Sequence, residues 1–281
     1  MPVNQQDFQR NLSADTTRKY SPAIWHDCPV DSILSDRSQA AYHEDDFLNF
    51  SDLSIDAQAA DHPHSHGYGS YIDTGVTFTQ LPLAGGVLEI AGNDADNDEG
   101  ILTTGGNTGT LAVLSDVSST RSGPLWFECR IKKASIADNA LAFFVGLSEE
   151  GLAAANTLID DTGEIASKDM IGFRVLHDNG EELDFVYRKA GQAVQEIANI
   201  STLVADTYIK LGFKFDPRQP IESRIRIFVN NVEYTTKITH ANMIAATFPD
   251  AEELALLLST KVGAAAESKF QIDWWRVAQM Y

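Results

Sequence analysis

The feature that most constrains this chain is a two-residue alternation of apolar and polar side chains in several of its segments. In Leu125–Lys132, Phe127, Cys129 and Ile131 take one face while Glu128, Arg130 and Lys132 take the other. In Ile209–Phe215 the apolar residues again fall on every second position. This is the period of half-buried antiparallel strands, whose successive side chains point to opposite faces. Further short β-like runs follow one another between turn signals, among them Gly86–Ala91, Leu141–Leu147, Met170–Leu176, Glu182–Arg188, Arg224–Val229, Leu254–Lys261 and Phe270–Gln279. Asn230-Asn231 reads as a hairpin turn, because Asn tolerates positive φ. Helix is confined to a turn or short helix opening at Ser148–Leu152 and another over Thr239–Ala246. The expected fold is all-β, a two-sheet antiparallel sandwich of the jelly-roll kind. At 281 residues the chain is long enough to bury such a core without disulfide staples.

Residues 1–44 read differently from 45–281. They are polar, contain Pro2, Pro22 and Pro29, and sustain no period, which predicts an extended N-terminal arm ahead of a single sandwich domain. Yet the arm carries Phe8, Tyr20, Ile24, Trp25, Val30, Ile33, Leu34 and Tyr42, whereas a disordered tail is poor in large apolar groups. Two readings are open: the arm orders against a partner, or it packs back on its own domain. The cysteines, Cys28 and Cys129, make no framework, and buried free thiols in a reducing cytosol are expected. A formal net charge of −19 opposes nucleic acid and anionic membranes as partners. No apolar run reaches the length of a membrane span, and the N-terminal stretch lacks the apolar region of a secretory signal.

Several constellations bear on chemistry. In Glu182-Leu183-Asp184-Phe185-Val186-Tyr187, Glu182 and Asp184 share one strand face. Some sandwich-fold glycoside hydrolases place a nucleophile, an assisting Asp and an acid/base Glu along such a strand. Here Tyr187 stands where the acid/base carboxylate belongs, and retaining hydrolysis needs two carboxyl groups across the scissile bond. The expectation is therefore a solvated polar strand face and a chain that is not an enzyme. The acidic turn Asn93–Glu99 sets Asp94, Asp96 and Asp98 at alternate positions, a pattern that could cage calcium, although the EF-hand spacing is absent and an acidic β-turn is the simpler reading. His62, His64 and His66 could ligate zinc or nickel but have no further ligand nearby in sequence. Gly105–Gly109 is a loop between strands, not a phosphate cradle opening a helix. Trp274-Trp275 reads as a final strand with one indole inward and one outward, the outward ring available to a sugar, an interface or the sheet edge.

The body from about Asp45 resembles tailed-phage structural proteins with a concanavalin A-like (laminin G-like) sandwich. The residues that carry the resemblance are Asp45-Asp46-Phe47, Gly85-Gly86 before Val87-Leu88, the turn at Asn93–Glu99, Leu125-Trp126-Phe127-Glu128, Phe144-Val145-Gly146-Leu147, Ile171-Gly172-Phe173-Arg174 and Ile272–Val277. Ile24-Trp25-His26-Asp27-Cys28-Pro29 is similar to the lead-in of such proteins. The resemblance implies a decoration (cement) protein on the outer capsid surface of the virion, bound to the major capsid protein as a homo-oligomer, a trimer being favoured. The arm would reach over neighbouring subunits with Ile24, Trp25, Ile33 and Leu34 as its contacts. The competing class is a carbohydrate-binding module or the receptor-binding part of a tail fibre.

Overall fold

A computed structural model describes residues 18–48, 53–54, 68–83, 85–92, 95–104, 112–114, 123–250, 252–263 and 268–281. The strands in chain order are β1 (Ala40–Asp45), β2 (Leu53–Ser54), β3 (Gly69–Ile72), β4 (Thr77–Gln80), β5 (Leu88–Gly92), β6 (Glu99–Thr103), β7 (Ala112–Val113) and β8 (Leu125–Lys133). They continue with β9 (Leu141–Ser148), β10 (Met170–Val175), β11 (Glu182–Arg188), β12 (Gln195–Thr202), β13 (Ile209–Phe215), β14 (Ile225–Val229), β15 (Val232–Glu233), β16 (Glu253–Val262) and β17 (Ser268–Met280). Among the described residues helix is limited to α1 (Pro22–Trp25), α2 (Val30–Ser35), α3 (His240–Met243) and two 3₁₀ turns. No helix among the described residues is long and apolar enough to cross a membrane.

One sheet has nine strands, in the order β15-β14-β13-β8-β17-β5-β4-β2 with β1 added against β17. The other has eight, in the order β12-β11-β10-β9-β16-β6-β3 with β7 added against β16. The pairings are antiparallel, as the alternation requires. Phe127, Cys129 and Ile131 of β8 and Leu211, Phe213 and Phe215 of β13 enter the core from one side; Phe143, Val145, Phe173 and Phe185 enter from the other. Rings meet across the gap, Phe185 against Phe213 at 5.6 Å and Phe143 against Phe270 at 5.0 Å. Burying each such side chain stabilises the fold by about 1.5–3 kcal/mol. At the hairpin between β14 and β15, Asn230 and Asn231 take φ of 49° and 69°, the left-handed pair a two-residue turn demands.

The strand β17 is the spine of its sheet. One side runs along β8, and the other is shared, with β5 on Ser268–Ile272 and β1 on Trp275–Met280. A register shift between Ile272 and Trp274 places Asp273 in a bulge. Trp275 then turns inward to Phe47 and Tyr68, and its indole donates to the Tyr68 hydroxyl at 3.0 Å. Trp274 turns outward. Cys129 lies between the sheets and Cys28, in the arm, packs on the opposite face of the same sheet; both are buried free thiols.

The described part of the arm folds back onto this outward face. Ile24, Trp25, Cys28 and Ile33 form a cluster with Trp126, Phe228 and Ala278. Gly212 makes the close approach feasible: a Cβ there would lie 2.5 Å from Ile24 Cδ1 and 2.6 Å from the Phe127 carbonyl. Beyond α2, β1 (Ala40–Asp45) runs across the expected boundary at residue 44 and joins the sheet.

Candidate functional site

On the outward face of the nine-stranded sheet, alternation places Glu128 and Arg130 of β8 and Trp274 and Arg276 of β17 under the arm. The buried Glu128 carboxylate accepts the Ser21 N–H at 3.0 Å and the Trp25 indole N–H at 2.8 Å. Burial still holds its pKa above the usual carboxylate range. The Arg276 guanidinium lies 4.3 Å from the Trp25 ring centre and 4.4 Å from that of Tyr20, a cation–π clasp. The Trp274 indole donates to the Arg18 carbonyl at 3.0 Å, and its ring meets Tyr20 edge-on at 4.7 Å. Arg18 and Arg130 both pair with the bulge residue Asp273, at 2.6 and 2.5 Å. Ile24, Trp25 and Ile33, expected to face a partner, are thus turned onto their own sheet, because its outward face offers apolar and aromatic surface that they cover. Leu34 alone of the four is half exposed. The outward Trp274 is likewise covered, leaving neither indole open to a sugar.

The outward face of the eight-stranded sheet carries the Glu182–Tyr187 motif. It is covered by the connection from β9 to β10, residues 149–169. Leu152, Leu158 and Ile165 of that loop pack on Tyr71, Ile101, Phe144, Val186 and Leu257. Asp184 is not a solvated group: one oxygen accepts from Arg174 at 2.9 Å and the other from the Asn199 N–H at 2.9 Å. Asn199 reaches it because β12 bulges there, with φ of 53°. Arg174 also pairs with Glu164 and Glu196, each at 2.5 Å, and is itself buried. The Tyr187 ring points the other way, into the inter-sheet core against Phe248 at 5.6 Å. Strand geometry therefore separates Tyr187 from Asp184, and the expected solvated strand face instead carries an ion-pair network built on buried Arg174 and Asp184.

Glu99 is a second buried carboxylate beneath this loop. It accepts the Asn156 and Leu158 N–H groups at 2.7 and 2.8 Å and pairs with Lys261 at 3.6 Å. Burial nevertheless pushes its pKa up to about 6. Asn97 and Asp161 exchange bonds at 2.9 and 3.1 Å, so the acidic turn is fastened to the same loop. Of the possible calcium ligands, Asp96 and Asp98 lie in this turn and Asp94 lies outside the described residues. Among the described residues no three His, Cys, Asp or Glu side chains converge to hold a metal. His62, His64, His66, Phe8 and Gly105–Gly109 also lie outside the described residues.

An open recess remains at the edge of the nine-stranded sheet, a polar cleft of about 350 Å³ between the arm and the β13–β15 end. Asp27 of the arm borders it, anchored by the Trp126 indole at 2.9 Å and by Lys214 at 2.6 Å. Burial works against ionisation of Asp27, but the Lys214 and Trp126 hydrogen bonds hold its pKa below the usual range. Arg226 pairs with Glu233, and Arg224 and Lys237 complete the basic lining. Sequence reasoning missed this cleft because its walls come from the arm, β13, β14 and the segments around them. The only signal was the outward parity of Lys214 and Arg226 on their strands.

No family model and no curated protein sequence matches the chain. Solved structures do match its fold. A protein of unknown function, SO2946, from Shewanella oneidensis MR-1 aligns with TM-score 0.51 and 17% identity over 86% of this chain and 87% of its own. SCLam, a non-specific endo-β-1,3(4)-glucanase from family GH16, aligns with TM-score 0.53 and 12% identity over 87% and 92%. Peanut lectin aligns with TM-score 0.50 and 12% identity over 83% and 98%. The expectation that the chain is not an enzyme is corrected by these matches: the architecture is one that a glucanase uses, so neither the sandwich nor the mismatch at Tyr187 sets catalysis aside. At such identities the likeness establishes architecture alone, and that architecture is a concanavalin A-like jelly-roll sandwich.

Proposed function

We propose that the chain is a structural protein of a tailed-phage virion that decorates the outer capsid surface and braces it by bridging capsomers. Its partners are the major capsid protein and further copies of itself, a trimer being the favoured assembly. The reading rests on the sequence resemblance, from Ile24–Pro29 through the sandwich landmarks. The observation that carries it is that segments of the chain cover the middle of both broad faces of its own sandwich, one with the arm and one with residues 149–169. Faces covered in this way leave the rims and loops as contact surface, and many weak rim contacts acting together give avidity. Since Ile24, Trp25 and Ile33 hold the arm to its sheet, Leu34 is the remaining arm contact. Co-sedimentation with undecorated phage heads tests this: the full chain should pellet with the heads and Leu34→Asp should pellet less. Failure of the wild-type chain to pellet would overturn the reading.

A second reading, carbohydrate recognition by a binding module or tail-fibre part, is favoured by one observation. The cleft beside Asp27 is open and polar where the middle of both broad faces is covered. A glycan screen on the intact chain tests it, and silence across neutral and acidic glycans would remove it.

A further inference from the structure

The cleft beside the arm has a charge balance unlike that of the chain as a whole. Asp and Glu outnumber Lys and Arg by 40 to 21 over the sequence. In the cleft, Lys214, Arg224, Arg226 and Lys237 face only Asp27, Asp216 and Glu233. The carboxylates are already engaged. Asp27 takes the Lys214 ammonium on both oxygens at 2.6 Å, and Asp216 accepts Arg218 in a fork at 2.8 and 3.0 Å. Glu233 takes one end of the Arg226 fork, with Lys237 4.0 Å away. A guanidinium offers five donors in a planar array that matches a carboxylate, and Arg226 spends one Nη on Glu233.

We propose that this cleft binds a hydroxylated monoanion, a uronic acid residue of an acidic glycan. The carboxylate lies toward Arg224, Arg226 and Lys237, and the hydroxyl groups lie toward Asp216, Gln219 and Ser223. The assignment rests on the carbohydrate reading above and narrows it. Three observations choose this ligand class. Three carboxylates in the wall oppose a doubly charged phosphate, while Arg224, Arg226 and Lys237 favour a single negative charge. Those same carboxylates, with Gln219 and Ser223, supply the acceptors that sugar hydroxyls need. Among the described residues no aromatic side chain lines the cleft, so they offer no stacking platform for a neutral sugar. A volume of about 350 Å³ sits at the small end of ligand pockets, roughly 300–1,000 Å³.

Calorimetric titration of the full chain with methyl glucuronoside, methyl glucoside and glucose 6-phosphate tests the proposal. The glucuronoside should bind at least about tenfold more tightly than the glucoside, and added salt should weaken it. Arg226→Gln and Lys237→Gln should each reduce that binding severalfold; Lys237 is exposed, so its variant keeps the parent melting temperature. Equal binding of glucoside and glucuronoside would overturn the acidic ligand while sparing sugar recognition. Preference for the phosphate would overturn the monoanion. Glucuronoside binding that neither variant alters would overturn the site, and silence from both glycosides at millimolar concentration would overturn the proposal.

Discussion

On the nine-stranded sheet the cover is a stretch of arm held by charges and rings: Glu128 on Ser21 and Trp25, Arg276 among Tyr20, Trp25 and Tyr42. On the eight-stranded sheet it is residues 149–169, fixed at both ends by β9 and β10 and seated through Leu152, Leu158 and Ile165. The second cover belongs to a core, because its apolar anchors are buried and its ends are already in the sheet. The first is joined to the sandwich through β1, and much of its hold is polar. The two covers therefore differ in how locally they can open. Both covers bury apolar anchors, but residues 149–169 are held by strands at both ends and the arm enters the sheet through β1, so the arm is the lower-stability element of the two.

Arg174→Ala should give the largest effect. It leaves the buried Asp184 without its cation, and removing one partner of a buried ion pair costs about 3–5 kcal/mol, while the more exposed Glu164 and Glu196 are screened by solvent and add little. Denaturant unfolding should report this as a shift of the whole transition. Leu158→Ala comes next, at about 2–5 kcal/mol from lost transfer energy and a cavity. If it instead lowers protection from hydrogen exchange in residues 149–169 alone, the loop is not the core element described. Ile24→Val should act on the other face, weakening the arm by about 0.5–1.5 kcal/mol through the lost methylene group. Its signature is faster proteolysis of the arm with the sandwich intact. A collapse of the whole fold would make both covers equivalent.

The smallest effect is a pH dependence. Glu99 has its folded pKa raised to about 6 from 4.5, so the folded state holds its proton more tightly than the unfolded state does. Its contribution favours folding below about pH 4.5 and is lost as pH rises through 6. Glu99→Gln should flatten the stability profile between those values. An unchanged profile would mean that Lys261 and the two backbone donors fully offset the burial of Glu99.

Much of the fold was legible because strand alternation is written residue by residue. β8 and β13 declare both faces, and Trp274-Trp275 declares one indole to each. The covers were not. α1 and α2 are each shorter than two turns, too short for a helical period to show, and they exist because Ile24, Trp25 and Ile33 find a sheet to lie on. The loop over Asp184 has no period either, and its three apolar anchors are spaced to fit the sheet below. Glu182 and Asp184 were correctly placed on one strand face. That the face would be roofed, with Arg174 across the strand pair, needed the register between β10 and β11, in which Arg174 lies opposite Asp184.

The spine strand β17 has a kinetic consequence. It unites β8, β5 and β1, and its Trp274 closes on Arg18, 256 residues away in sequence. Contacts that span so much chain must overcome loop-closure entropy before they contribute any stability, so sheets built on them assemble slowly. Refolding should accordingly be slow, with the arm's Trp25 among the last side chains to leave water. Until β17 is in place, β8 and β5 each present an open edge, and this is the interval in which the folding chain is most exposed to aggregation.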